Sequence, residues 1–180
     1  MRISGRISGL QRMAEPEFHR PVPVDRLPAQ EHSVVATPGE CAALARRMAI
    51  PAVLSLTCRF RLRAEAGGIV LAEGALSARV VRDCVVSLDP FEMDVAERFR
   101  VRFVPTVMEP EDEEGWLDPA EDDEIGYGGS TVDLGEAAAE QLALALDPYP
   151  RKPGAEMPEE GVEDRLSPFA ALARLRRPPD

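Results

Sequence analysis

The chain has 180 residues, enough for one domain with a hydrophobic core, and its net charge is −11. No apolar run approaches the ~18 residues needed to span a bilayer, and the three cysteines are too widely spaced for a disulfide framework. The composition therefore predicts a cytoplasmic protein with no membrane contact. Residues 1–14 lack the apolar stretch of a secretory signal and are predicted to be a disordered leader, with Met1 and Met13 as alternative starts.

The acidic residues are concentrated in one part of the chain. Residues 103–150 contain 14 Asp or Glu and no Lys or Arg, whereas residues 1–102 carry 15 basic and 12 acidic residues. Residues 105–129 predict a long acidic loop, because such a segment buries too little apolar surface to order itself. A calcium site is not predicted there, since the alternating ligand order of a calcium loop is missing.

The first part of the chain after the leader is a Pro-rich arm, residues 15–36, in which one or two short strands at most are expected. A helix then begins after Thr37, because Pro38 fits the first helical position and Glu40 completes a capping box. Pro51 ends this helix.

Three long segments with a period of two follow, at residues 53–63, 69–82 and 92–104, and Gly67-Gly68 reads as a two-residue hairpin turn. Sequential strands with short turns predict an antiparallel meander. A second helix begins after Asp133. The predicted fold is α+β: an antiparallel β-meander sheet with two helices packed on one face, a long acidic loop and flexible termini.

The domain prediction has three parts: the leader 1–14, one folded domain over 15–150, and a Pro-rich tail over 151–180. The tail ends in a short amphipathic helix whose apolar residues are Phe169, Leu172 and Leu175.

A search for an active site finds no complete set of residues. The two histidines, His19 and His32, both lie in the arm, and no phosphate loop, dinucleotide fingerprint or C-x-x-C occurs. We predict no enzymatic activity, no cofactor, no metal and no small-molecule substrate; the cysteines are expected to be buried, inert thiols. Catalysis by carboxylates such as Asp83 and Asp89 is the weakest alternative, because nothing pairs them with a base.

Arginines alternate with apolar residues in the first and third long strands. If the apolar sides share the core, the arginines project from the opposite face of the sheet, together with Arg79 and Arg82 from the strand between them. Guanidinium groups suit phosphate, so this surface is the candidate binding site for RNA or another partner. Its residues are Arg59, Arg61, Arg63, Arg82, Arg98, Arg100 and Arg102.

Two other interpretations of these arginines stay open. The first is an ordinary solvated face balanced by Glu65, Glu73 and Glu97. The second is a surface that the acidic loop covers until a partner arrives, so that RNA would bind more weakly with the loop present.

Four features in this order carry a resemblance to a known family. They are Arg82-Asp83-Cys84 leading into Asp89-Pro90-Phe91, the acidic loop, the helix start Val132-Asp133-Leu134, and the terminal Ser167-Pro168-Phe169-x-x-Leu172-x-x-Leu175. Over roughly residues 17–177 the chain resembles the YceD family of large ribosomal RNA subunit accumulation proteins. The resemblance implies a role in the production or stability of 23S rRNA and no enzymatic activity. Many relatives have Cys-x-x-Cys where this chain has Cys84-Val85-Val86-Ser87, so no metal site is carried over.

The leading prediction is a bacterial, cytoplasmic ribosome-biogenesis factor that binds precursor rRNA or an early assembly particle of the large subunit through the arginines. The alternative is a protein-binding adaptor. In that case the acidic loop engages a basic partner such as a ribosomal protein, and Phe169, Leu172 and Leu175 dock into a groove.

Overall fold

A computed structural model describes residues 16–106 and 123–156. Its strands are β1 (Pro21–Pro23), β2 (His32–Val35), β3 (Ala52–Ala64), β4 (Val70–Asp83), β5 (Pro90–Pro105), β6 (Asp123–Tyr127) and β7 (Thr131–Asp133), and its helices are α1 (Pro38–Arg47) and α2 (Leu134–Ala145). The fold class is α+β, as the sequence predicts. No helix within these ranges is long and apolar enough to cross a membrane.

The main sheet has five strands in the order β2-β3-β4-β5-β6, and β1 pairs with β7 in a separate two-stranded sheet. β2 to β5 pair antiparallel, but β6 pairs parallel to the end of β5. The sheet is therefore mixed, and the prediction of a purely antiparallel sheet is wrong at this edge. β6 also lies inside the segment predicted as loop, because Ile125 and Tyr127 pack against the core and Arg102 binds Glu124 at 2.9 Å.

Both helix starts are confirmed. The Thr37 hydroxyl accepts a hydrogen bond from the Glu40 amide at 3.3 Å, and the Glu40 carboxylate accepts one from the Thr37 amide at 2.7 Å. Asp133 caps α2 by accepting from the amides of Gly135 and Glu136. Each cap satisfies amides that the first helical turn leaves without partners.

One hydrophobic cluster joins the sheet to both helices. Alternate residues of β3 and β4, such as Leu56, Phe60 and Val80, are fully buried against Leu44 of α1 and Leu142 of α2. The period of two thus separates one sheet face, which carries the core, from an opposite face that is largely polar.

The arm links the starts of the two helices. Phe18 is fully buried, and its carbonyl lies so near Gly135 that a Cβ there would meet the oxygen at 2.2 Å. The Arg20 amide donates to Asp133 at 2.7 Å, and its guanidinium binds both oxygens of Glu40 at 2.7 and 2.9 Å. The expected short strands of the arm are present as β1 and β2.

The connection between β3 and β4 differs from the prediction. Gly67 and Gly68 have φ values of 75° and 82°, which only glycine adopts readily, but they belong to a longer turn. A 3₁₀ turn at Ala66–Gly68 and a bond from the Glu65 amide to the Ile69 carbonyl at 2.8 Å close it. The prediction of a two-residue hairpin turn at Gly67-Gly68 is therefore wrong. The predicted leader 1–14, most of the acidic loop and the terminal helix with Phe169, Leu172 and Leu175 lie outside the described residues.

Candidate functional site

Six arginines of β3 and β5 lie on the sheet face that points away from the helices. Strand register places them in three rows with one β4 residue between each pair: Arg59–Ala75–Arg98, Arg61–Glu73–Arg100 and Arg63–Leu71–Arg102. Residues directly opposite each other in a sheet share a face, so the six side chains project to one side. We call these six residues the arginine face.

The strand geometry fixes the spacing of the arginine face. The three arginines of β3 form one column along the sheet and the three of β5 form another. Because β3 and β5 are separated by two strand spacings, these columns are roughly 10 Å apart. Successive arginines in one column stand two residues apart, or about 6.7 Å. The result is a regular cationic grid at the end of the sheet where β4 begins.

Nearby carboxylates neutralise the arginine face only in part. Glu31 lies 3.8 Å from Arg59 and 3.5 Å from Arg61, and Glu124 lies 2.9 Å from Arg102. Within residues 16–106 and 123–156, Arg63 and Arg98 have no ion-pair partner. Counting only residues that the structure describes, the six arginines and the carboxylates of Glu31, Glu73 and Glu124 sum to a charge of +3.

Glu65, Glu73 and Glu97 were expected to balance the charge of the arginines, but only one of them lies on the arginine face. Glu73 lies on the arginine face, but Glu97 faces the helix side, because its register partner is the buried Leu76. Glu65 begins the turn after β3. The solvated-face interpretation is therefore weakened by the position of Glu97.

The other end of the same sheet face is acidic. Arg79 shares the face with the six arginines, but Glu92 and Asp94 lie 3.0 and 3.6 Å from its guanidinium. Asp83 follows on the same side of β4. The outer face is therefore polarised along the strands, positive near the start of β4 and negative near its end.

Arg82 does not lie on this surface, so the prediction that it projects from the same face as the other arginines is wrong. It follows Val80 by two residues in β4 and so lies on the helix side of the sheet. Its Nη1 atom is buried and has no hydrogen-bond partner among the described residues. The period of two in the sequence already contains this information, because Arg82 has the same parity as the apolar Ala78 and Val80.

A shallow depression crosses the outer face beside the arginines. It has a volume of about 460 Å³, and small side chains of three strands floor it: Thr57, Ala75, Ser77 and Ala96. Arg59 and Arg98 flank it. The small residues leave room for a ligand backbone to approach the sheet between two guanidinium groups.

A second candidate site lies on the side of the domain away from the arginine face, and it was not predicted from the sequence. A cavity of about 620 Å³ has acidic walls formed by Glu17, Asp133, Glu136 and Glu140, with Arg47 among them. Arg47 binds Glu136 at 2.6 and 2.9 Å and Glu17 at 3.1 Å. Burial, and then the charge of Glu136, raises the pKa of Glu140. These residues come from the arm, from α1 and from the N-cap and first half of α2, so no local sequence motif indicates the cavity.

The three cysteines are buried, as predicted. The Cys84 sulfur accepts bonds at 3.4 Å from the amides of Val86, Ser87 and Lys152. Hydrogen bonds from the Ser87 side chain and from these amides lower the pKa of the Cys84 thiol to about 6, while its complete burial acts in the opposite direction. The described ranges contain no group of three His, Cys, Asp or Glu arranged to hold a metal ion.

Fold and site together define an α+β protein with one cationic sheet face. Residues 72–176, more than half of the chain, match the family described as large ribosomal RNA subunit accumulation protein YceD, and the chain belongs to the YceD family. The match confirms the resemblance drawn from the sequence. It covers the β5 column of the arginine face and begins after the β3 column. No curated protein and no solved structure matches the chain.

Proposed function

We propose that this protein is a non-enzymatic, cytoplasmic factor of bacterial ribosome biogenesis that binds precursor 23S rRNA through the arginine face. Its family is named for accumulation of the large ribosomal RNA subunit, which gives the class of process. The arginine face supplies the physical means, because arginine pairs with phosphate through two parallel hydrogen bonds.

The observation that carries this proposal is the row Arg59–Ala75–Arg98. Its two guanidinium groups flank a small central residue, and Arg98 has no ion-pair partner among the described residues. A phosphate between them replaces water and counterions without first breaking a strong ion pair. Contacts of this kind position RNA by its backbone and read little sequence.

The positions of the two candidate catalytic carboxylates favour a binding role over catalysis. The carboxylates proposed for the weakest alternative, Asp83 and Asp89, are exposed near the turn between β4 and β5, and Asp89 lies 3.7 Å from the Lys152 ammonium. They stand at the acidic end of the outer face, away from the arginines. Such exposed carboxylates are an ordinary solvated surface.

The experiment is a pull-down of the native protein with RNA and protein sequenced in parallel. We expect 23S precursor to be recovered with the wild type and lost when Arg59, Arg61, Arg100 and Arg102 are all reversed to Glu. If rRNA is still recovered with the variant that carries all four reversals, the arginine face is not its binding site. Recovery of neither rRNA nor ribosomal proteins refutes the assignment to ribosome biogenesis as a whole.

The acid-lined cavity supports a second candidate function, a protein adaptor that holds a basic segment such as a ribosomal-protein tail. Its floor is apolar, formed by Phe103, Ile125 and Tyr127, and its walls are acidic, which suits a Lys or Arg with a long aliphatic stem. The same pull-down with Glu140→Lys separates the two functions. If the protein is an adaptor, ribosomal proteins should no longer be recovered with this variant. If it binds rRNA through the arginine face, the recovery of rRNA should be unchanged.

A further inference from the structure

The acid-lined cavity combines an apolar floor with a strong negative charge. Its volume of about 620 Å³ lies within the range of roughly 300–1,000 Å³ that is usual for binding pockets. Among the lining residues that the structure describes, four carboxylates and one guanidinium sum to a charge of −3: Glu17, Asp133, Glu136, Glu140 and Arg47. This combination favours an occupant that is apolar on one face and basic beside it.

Glu140 is the wall of the cavity that gains most from a basic occupant. Arg47 already binds Glu17 and Glu136, and Asp133 already caps α2. Glu140 has no ion-pair partner within the described ranges. Its burial, and then the charge of Glu136, raise its pKa, so a cation placed beside it would stabilise the charged carboxylate.

The chain itself carries a segment with the matching chemistry. Residues 165–177 contain four arginines and no Asp or Glu. Within them, Phe169, Leu172 and Leu175 recur at the spacing of one face of the predicted helix. Arg176 follows Leu172 by four residues, so the same face ends in a cation. The segment therefore pairs an apolar stripe with positive charge, as the cavity pairs an apolar floor with negative charge.

The chain between the cavity and this segment is long enough to lead back. From Glu140 to the end of α2 at Ala145 the helix rises about 7.5 Å, and residues 146–156 add at most about 36–40 Å. Glu156, where the described chain ends, therefore lies no more than about 45 Å from Glu140, and turns after the helix shorten that path. The residues from Glu156 to Phe169 extend as far as about 45 Å.

We propose that residues 165–177 occupy the acid-lined cavity of their own chain. Phe169 and Leu172 then rest on the apolar floor, and Arg176 lies beside Glu140. The docked segment excludes other basic segments, so a ribosomal-protein tail would enter the cavity only by displacing it. The contact lies on the side of the domain away from the arginine face and does not depend on what the arginine face binds.

A spin label on the full chain tests the docking by NMR. The label is attached at Ala173→Cys, which lies next to the apolar stripe of the predicted helix; the native cysteines are buried, so the new thiol is the reactive one. The amide resonances of Ile125 and Gly126 in the cavity should broaden. Those of Ala75 and Ala96, on the outer face of the sheet, should not. A mixture of spin-labelled chains and ¹⁵N-labelled chains without the spin label separates contacts within one chain from contacts between chains.

Charge reversal in the same labelled chain tests which residues hold the segment. Glu140→Lys and Arg176→Glu each place like charges together, so each should reduce the broadening at Ile125 at least fivefold, and the two changes combined should restore it. Glu97→Lys is the matched control: it makes the same change of charge at an exposed residue that does not line the cavity, and the broadening should stay at the wild-type level.

The outcomes that overturn the proposal are distinct from a failure of RNA binding. They are the absence of broadening at Ile125 and Gly126 in the labelled chain, and broadening that arises only between chains in the mixed sample. Equal broadening in Glu140→Lys and Glu97→Lys, or a double variant that is no better than the two single reversals, also overturns it.

Discussion

Arg59 and Arg98 lie on opposite sides of Ala75, in register across the three central strands, with no carboxylate between them. The other two rows hold Glu73 and the 6%-exposed Leu71 at the centre. The first row is therefore the most open cationic position of the sheet. We therefore expect an RNA phosphate to bind at this row.

The salt dependence of RNA binding follows from this geometry. If Arg59 and Arg98 each neutralise one phosphate, replacing both by alanine removes two released counterions. The slope of log affinity against log salt should then fall by about 1.5–2. Titrations of a 23S precursor fragment at several salt concentrations measure it. An unchanged slope with a weakened affinity would mean that the arginines act indirectly.

Arg82 should behave differently from the arginine face. It lies on the helix side, and its Nη1 atom is buried without a partner in the described part of the chain. Arg82→Met should keep RNA affinity within about twofold and leave the unfolding free energy unchanged or raise it by about 1 kcal/mol, because the unpaired donor is removed. Urea unfolding and RNA titration check both statements. A large loss of RNA binding would return Arg82 to the site.

Gly135 sets how closely the arm approaches α2. A Cβ there meets the Phe18 carbonyl oxygen at 2.2 Å, a backbone atom that cannot turn aside. Gly135→Ala should lower the unfolding free energy by about 1–3 kcal/mol. Gly39→Ala in α1 is the control: a Cβ at Gly39 meets nothing within 4 Å, and the change should stabilise by about 0.5–1 kcal/mol. Equal effects of the two substitutions would contradict this packing.

The bond between Arg20 and Glu40 predicts a dependence of stability on pH. The Arg20 guanidinium, and after it the bonds from Thr37, lower the pKa of Glu40 from 4.5 to about 2. A carboxylate with a lowered folded pKa stabilises the protein above its unfolded pKa and loses that contribution as pH falls toward the folded value. Glu40→Gln should therefore cost about 1–2 kcal/mol at neutral pH, after allowance for solvent screening, and flatten the fall in stability between pH 4.5 and 2. Unfolding curves of wild type and variant across this range give the difference, which should close toward pH 2.

The local parts of the fold were predictable because their signals are local. The capping box of Thr37 and Glu40, the cap at Asp133 and the alternation in the long strands each lie within a few residues. β6 was not predictable, because its parallel pairing with β5 depends on contacts of Ile125 and Tyr127 with a distant core. The acid-lined cavity was hidden for the same reason.

The six arginines on one face were predictable from alternation, since strands of period two must segregate them. The unequal distribution of carboxylates within the arginine face was not predictable from the sequence, because it depends on the register between neighbouring strands. Register sets Glu73 between Arg61 and Arg100 and moves Glu97 to the helix side. The same alternation places Arg82 on the helix side with Ala78 and Val80, so the face predicted for Arg82 was wrong although the sequence pattern was sufficient to assign it.

The central claim is that the arginine face binds rRNA, and a paired charge reversal tests it most directly. The test variant is Arg59→Glu with Arg98→Glu. The control is Arg26→Glu with Arg151→Glu, two exposed arginines outside the arginine face with the same change in net charge. Affinity for a 23S precursor fragment, measured at one fixed low salt concentration, should fall at least tenfold more for the test variant than for the control. Equal losses for the two variants would show that only net charge matters and would contradict the account.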